Sequence, residues 1–407
     1  MKILMVSPSI DYSENLAQTI HQLQFAKELA AKGFEVHMIC RKKKTALPFI
    51  DTSKSNIVFH KIFSEDLPYK RIIFTMQTRF VVDSILRKGK FDLVHDRGYL
   101  FGGAGIDVAQ KYSLPTVLQI DDDWIRTEEL TSKIGKTKFY QRMAKRWCTK
   151  VLNDADKAFA VSETLKRIAV KDWNADGKKI SIIPNGVDIK IFNRDVEPYG
   201  IKERFGEKSP IITFVGALGP WHGIQNLISA IPLVLKENPE AKFLIVGKAK
   251  EYSTEQLTGM VEELRLGDAV HFFGSVAHED IPRILVESDI GVAPYSNLDF
   301  GFSPLKIFEY MACALPVVCS DLPSTREIVE NGKDGVLVKS WIKEDLANAL
   351  VDLISNEQKR KRIGEEGRKK AIDNYTWEKC TEKLIRLYNT ARCLLSGGSC
   401  EQLNAQL

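Results

Sequence analysis

No two cysteines stand in a C-x-x-C pair, and the seven present (Cys40, Cys148, Cys313, Cys319, Cys380, Cys393, Cys400) are scattered and odd in number. That argues against a zinc knuckle or a disulfide framework and fits a reducing compartment. Nor does any run approach the ~18 uninterrupted apolar residues of a spanning helix. The opening MKILMVSPS breaks after five apolar-rich positions with no small-residue cleavage site, so the expectation is a cytoplasmic protein, neither secreted nor membrane-spanning. Low-complexity tracts and collagen periodicity are missing too, and 44% hydrophobic with 27% charged residues is ordinary for a folded chain. At 407 residues the sequence exceeds what one core usually serves, and two domains of roughly 150 to 200 residues each are expected.

What is present is unevenly spread. Residues 1–198 carry 33 Lys/Arg against 24 Asp/Glu, net +9, while residues 199–407 carry 25 against 29, net −4. Such a split fits a front half facing an anionic surface or substrate, and equally a solvated basic face.

Strand-length apolar runs alternate with amphipathic helical stretches from end to end, the pattern of a doubly wound α/β protein with parallel sheets. In the first half, strands are expected at 2–7, 34–40, 56–62, 91–95, 115–120, 157–161 and 180–183, with helices near 16–32, 70–88, 138–153 and 163–172. A second sheet opens with IITFVG at 211–216 and continues through FLIVG, VHFFG, DIGVAP and LPVVCS. The polar stretch 193–210 reads as a hinge. The expected divisions are 1–195, 196–375, and 376–407, the last a helix crossing back to the first domain plus a frayed tail. Ligands of open α/β sheets sit at the C-terminal strand ends, so a cleft between the two sheets is the expected active site.

The most informative segment is YSNLDFGFSPLKIFEYMACALPVVCSD at 295–321: a strand end, a glycine-containing loop, a helix and another strand. A helix starting at Ser303 and Pro304 offers free backbone N–H groups and the positive dipole end, a cradle for a diphosphate. Lys306 adds a full charge. Glu309 follows at helical spacing from Lys306 and Leu305, placed to accept from ribose hydroxyls, or else simply an exposed helix glutamate.

Together with this loop-helix, AFAVSETLKR (158–167), SIIPNGVDIKIF (181–192), FVGALGPWHGIQNLISA (214–230) and VHFFGSVAHEDIPRILVESDIGVAPY (270–295) form an ordered set. In these motifs the chain resembles the retaining glycosyltransferase family four, whose members have the GT-B fold of two facing Rossmann-like domains. The resemblance implies sugar transfer from a nucleotide-sugar co-substrate held by the C-terminal domain to an acceptor held by the N-terminal one, with no metal and no other cofactor. It implies donor contacts at Gly216, at Ser303, Pro304 and Leu305, and at Glu309, with the base near Gly274 and Ser275. For Gly216, and for Asn185 and Gly186, the plainer reading is a tight turn.

The family's pattern is not kept throughout. Of its two glutamates separated by seven residues, the second remains as Glu309 and the first is Gly301. In FVGALGPWHG the usual arginine and lysine are Ala217 and His222. A diphosphate leaving group still needs neutralising, so Lys306 with help from His222 is expected to replace the lost charge. A branch of the family that pairs PWHG with SPLK resembles this arrangement. In LPTVLQIDDDW (114–124) the family's strand-end histidine is Asp121, a candidate hydrogen-bond acceptor or general base. The run Asp121, Asp122, Asp123 also looks like a D-x-D metal motif, which belongs to a different sheet topology. On the acceptor side, His21, His95 and Arg97 are the candidates.

Two segments fit peripheral contact with an anionic membrane: RKKK at 41–44 and KIGKTKFYQRMAKRW at 133–147, where Tyr140, Met143 and Trp147 recur at helical spacing. The stronger reading is that this stripe packs on its own sheet. The expected activity is a glycosyltransferase extending a glycan, glycolipid or lipid-linked acceptor. The alternative is a non-catalytic GT-B partner that binds nucleotide sugar, motivated by Gly301, Ala217 and Asp121. No nucleic acid is expected.

Overall fold

The computed structural model describes residues 1–8, 10–12, 17–43, 55–62, 71–248, 251–297 and 300–396. Lys44 of the basic run and residues 397–407 of the tail lie outside them. The chain divides into two compact units. The first contains residues 1–185, 300–303 and the segment from 377 onward, and the second contains 186–299 and 304–376.

The first unit is built on seven parallel strands: β1 (Lys2–Val6), β2 (Glu35–Cys40), β3 (Ile57–Lys61), β4 (Leu93–Arg97), β5 (Thr116–Ile120), β6 (Lys157–Ala160) and β7 (Ile180–Ile182). Their order is β3-β2-β1-β4-β5-β6-β7, so the winding reverses between β1 and β4, and the C-terminal strand ends there are where such sheets bind ligands. Strands β4 and β5 are buried along their whole length, as parallel strands with helices on both faces must be. The helices are α1 (Ala17–Ala31), α2 (Arg71–Lys88), α3 (Ala104–Lys111), α4 (Trp124–Thr131), α5 (Lys138–Asp154) and α6 (Glu163–Lys171). Asp123 starts α4 by accepting from the Arg126 amide at 3.1 Å, and Thr137 caps α5 in the same way.

The second unit has six parallel strands: β8 (Ile211–Val215), β9 (Lys242–Val246), β10 (Val270–Gly274), β11 (Ile290–Ala293), β12 (Val317–Ser320) and β13 (Val336–Val338). The order β10-β9-β8-β11-β12-β13 again reverses beside its first strand. Helix α7 (Ile224–Glu237) sends Ile224, Leu227, Ile228, Ile231 and Val234 into a core shared with Phe214, Phe243 and Ile245. Helix α8 (Leu305–Ala312) lies between β11 and β12 in sequence and is buried from Lys306 to its end. Helix α9 (Trp377–Ser396) belongs to the first unit, where Trp377 stacks on His21 at 5.3 Å between ring centres. No helix among the described residues is long and apolar enough to cross a membrane.

Candidate active site

In the second unit the strand ends converge on Lys306. Strand β8 is followed by Gly216 at φ +140°, a conformation that disfavours side chains, and a Cβ there would come within 2.8 Å of Lys306 Nζ. The glycine therefore lets the lysine head lie over the strand end. Lys306 Nζ sits 4.0 Å from the centre of the Phe214 ring and 5.3 Å from that of Tyr295, within cation–π range. It is 8% exposed and donates no hydrogen bond to any described residue. Burial pulls its ammonium down to about 7, against the opposing pull of the Glu309 carboxylate. A buried ammonium at the first turn of a helix, without a hydrogen-bond partner among the described residues, is suited to receive an anion.

His222 closes the turn formed by residues 220–222, its ring 6.0 Å from Tyr295. Burial and then the Lys306 charge lower it to about 3, so at neutral pH it is uncharged. His222 thus offers an N–H or a lone pair at neutral pH. Glu309 is 8% exposed, its Oε1 3.4 Å from His278 Nε2, and His278 packs edge-on against Phe192. His278 carried no signal beyond its place in a motif; only the fold brings it to Glu309. Gly274 and Ser275 are exposed at the end of β10, and the Gly274 carbonyl accepts from the Gly247 amide at 2.7 Å.

Residues 300–303 of the loop before α8 belong to the first unit. Ser162 Oγ donates to the Gly301 carbonyl at 2.5 Å. Asn185 donates its amide to Ser303 Oγ at 3.0 Å and its side-chain N–H to the Ser303 carbonyl. Gly301 has φ +72°, and a Cβ on it would lie 2.6 Å from Leu165 Cα. A glutamate cannot occupy this backbone as it stands. Pro304 precedes α8, and Leu305 is its first residue.

In the first unit Asp121 directly follows β5, and Arg97 ends β4. Arg97 Nη2 lies 2.6 Å from Asp121 Oδ2, both side chains nearly buried, while Asp121 Oδ1 has no hydrogen-bond partner among the described residues. The neighbouring carboxylates turn elsewhere. Asp122 accepts from Thr127 at 2.7 Å and is raised by burial to about 6, with that bond opposing the shift, while Asp123 caps α4. The three are thus engaged with three different partners.

His95 and His21 are interior residues. The Nδ1 of His95 is 2.7 Å from Tyr388 Oη and its Nε2 3.1 Å from Gln119 Oε1; burial lowers it to about 4, with the Gln119 bond opposing. Gln119 also takes a bond from Gln22 at 2.7 Å and reaches His21 Nδ1 at 3.3 Å. His21 is held well below its usual range by burial, then by Arg97 and His95. With neutral rings, Tyr388 donates to His95, His95 to Gln119, and Gln119 to His21, a directed chain across the end of the sheet.

These features can be set beside known proteins. Residues 195–370 match the family model described as glycosyl transferases group 1, and residues 18–191 match glycosyltransferase family 4. An uncharacterised glycosyltransferase of Methanocaldococcus jannaschii is 26% identical over 95% of this chain and 98% of its own length. Spore coat protein SA of Bacillus subtilis is 28% identical over 57% of this chain and 64% of its length. Among solved structures, sucrose-phosphate synthase from Thermosynechococcus elongatus superposes with a TM-score of 0.81 at 22% identity, covering 98% of this chain and all of the other. Anabaena HepE in complex with UDP and glucose gives 0.76 at 19% identity, covering 94% and 98%. With both halves of the sequence matched and both sheets of the GT-B type, the chain belongs to glycosyltransferase family four.

Proposed function

We propose that this glycosyltransferase moves a hexosyl or related group from a nucleotide sugar to a glycan, glycolipid or lipid-linked acceptor, with retention and without a metal ion. The observation that carries the donor assignment is Lys306: a desolvated ammonium, without a hydrogen-bond partner among the described residues, at the first turn of α8. As the bond to the sugar breaks, charge accumulates on the diphosphate. A fixed cation and helix amides in a water-poor site stabilise that charge more than they stabilise the intact donor. Glu309 accepts from the ribose, the Gly216 turn lets the diphosphate approach the backbone, and Ser303, Pro304 and Leu305 line the loop entering the helix. Gly274 and Ser275 lie by the base. The UDP and glucose held by Anabaena HepE support a nucleotide-sugar donor.

On the acceptor side Asp121 is the reacting carboxylate, taking a hydrogen bond from the donor sugar or the acceptor proton, and Arg97 fixes its orientation. His21 and His95 hold the strand ends in place behind it. The test is a panel of UDP-, GDP-, ADP- and TDP-sugars incubated without acceptor, with and without chelator, reading released nucleotide. Release from one donor, unaffected by chelator and lost in Glu309→Ala and Lys306→Ala, supports the assignment. Calorimetric binding with no turnover, even with membrane extract as acceptor, overturns catalysis and leaves a sugar-nucleotide-binding partner protein.

A further inference from the structure

The stripe of α5 that packs on the sheet runs through Tyr140, Ala144, Cys148 and Val151. That leaves a different flank outward: Phe139, Met143, Arg146 and Lys150, again at helical spacing. Phe139 is 77% exposed and Met143 42%, with Ile134 just before the helix at 59%. Large apolar side chains this open are uncommon as neighbours on a soluble surface, where they normally stand singly.

Helix α2 extends the same surface. Met76 is 66% exposed and Phe80 69%, one turn apart. Asp107 on α3 ties the two helices together, pairing with Arg79 of α2 on one side and with Lys150 of α5 at 3.4 Å on the other. Below them Thr75 of α2 donates to the carbonyl of Phe101, whose ring packs at 5.6 Å from Tyr140 and 5.9 Å from Trp147. The open side chains of α2 and α5 therefore share one side of the first unit. Lys133, Lys136, Lys138, Arg142, Lys145 and Arg146, on α5 and just before it, are all exposed, and residues 130–153 contain no aspartate or glutamate.

We propose that this face docks the first unit on an anionic lipid bilayer, with Met76, Phe80, Phe139 and Met143 entering the headgroup boundary and the flanking cations meeting lipid phosphates. Apolar insertion alone would suit a protein partner; the acid-free run of cations at 133–150 is what selects a negatively charged membrane. This extends the reading of a lipid-linked or glycolipid acceptor by stating where the enzyme meets it, but does not depend on sugar transfer being right.

The experiment is flotation of the full chain, without donor, on phosphatidylcholine vesicles with and without phosphatidylglycerol. Binding only to the anionic vesicles, weakened by salt over the range where the screening length shortens, is expected. Phe80→Ser with Phe139→Ser, and separately Arg142→Glu with Arg146→Glu, should each lower the bound fraction at least ~10-fold. Unchanged melting and unchanged nucleotide release in solution show that these variants are folded and that the transfer site is intact. Equal binding to neutral vesicles, no binding to either, or undiminished binding by both variants overturns the proposal. So does a dimer in light scattering that Phe80→Ser with Phe139→Ser dissociates, since the face would then belong to a second copy of the chain.

Discussion

Lys306→Met exposes the tension between donor binding and stability most directly. Methionine keeps the length and apolar stem that lie against Phe214 and Tyr295 and removes only the charge. A lysine that ionises at about 7 when folded and near 10.5 when unfolded carries a charge the folded state resists. At ~1.36 kcal/mol per pH unit between those values, the ceiling is about 5 kcal/mol. Below pH 7 the amine is charged in both states and the whole penalty stands. Between 7 and 10.5 the folded form has released its proton and the unfolded form has not, so the penalty shrinks as pH rises; above 10.5 it is gone. Lys306→Met should therefore raise the unfolding temperature most at pH 6 and least near pH 10. With relaxation and the Phe214 ring offsetting part of the penalty, about 2 to 3 kcal/mol is expected, or ~5–10 °C for a unit of this size. Nucleotide release from the donor should fall at least ~100-fold. The assay is calorimetric melting across that pH range beside the release assay. A variant less stable than the parent at pH 6, or a gain that grows with pH, would refute the reasoning.

Other substitutions probe the remaining geometry. Gly301→Glu restores the carboxylate usual in the family but places a Cβ against the Leu165 backbone at positive φ, so a loss of at least ~2 kcal/mol in chemical unfolding and lower activity are expected; a gain in turnover would show that the loop accepts it. Asp121→Asn keeps the shape beside Arg97 and removes the charge, and kcat should drop ~10²- to 10⁴-fold once a donor and acceptor are known. Unchanged kcat would remove Asp121 from the reaction. Tyr388→Phe leaves His95 Nδ1 buried without its donor and should cost about 1–3 kcal/mol in urea unfolding; no change would mean that the directed chain of side chains contributes little.

Much of the fold is legible in the sequence because parallel strands covered on both faces are near-continuous apolar runs ended by glycine, proline or a charge. ILMV, FLIV and LPVVCS could hardly be anything else. Helices α3 and α4 gave weaker signals. GGAGIDVAQK is too small and too mixed for a clear period, and α4 begins inside an acidic run whose third member turned out to be its cap. In α5, Tyr140 and Trp147 pack against the core as the spacing suggests, but Met143 is in the open, and Ala144 and Cys148, which complete the buried face, are too small to advertise it. At the site, Lys306 and Glu309 could be found from spacing, since one helix carries both. His278 beside Glu309, and the backbone that compels glycine at 301, depend on segments far apart in sequence, and no local pattern records them.

The first unit is completed by helix α9. Tyr388 meets His95, and Trp377 stacks on His21, both on helix α9, which follows the whole of the second unit in sequence. A ribosome making this protein therefore releases a first sheet with its histidine cluster still open to water. The second unit must emerge, and helix α9 after it, before that cluster is covered. Folding in order of synthesis can complete the second unit first, leaving the first exposed to chaperones and to aggregation until α9 has emerged.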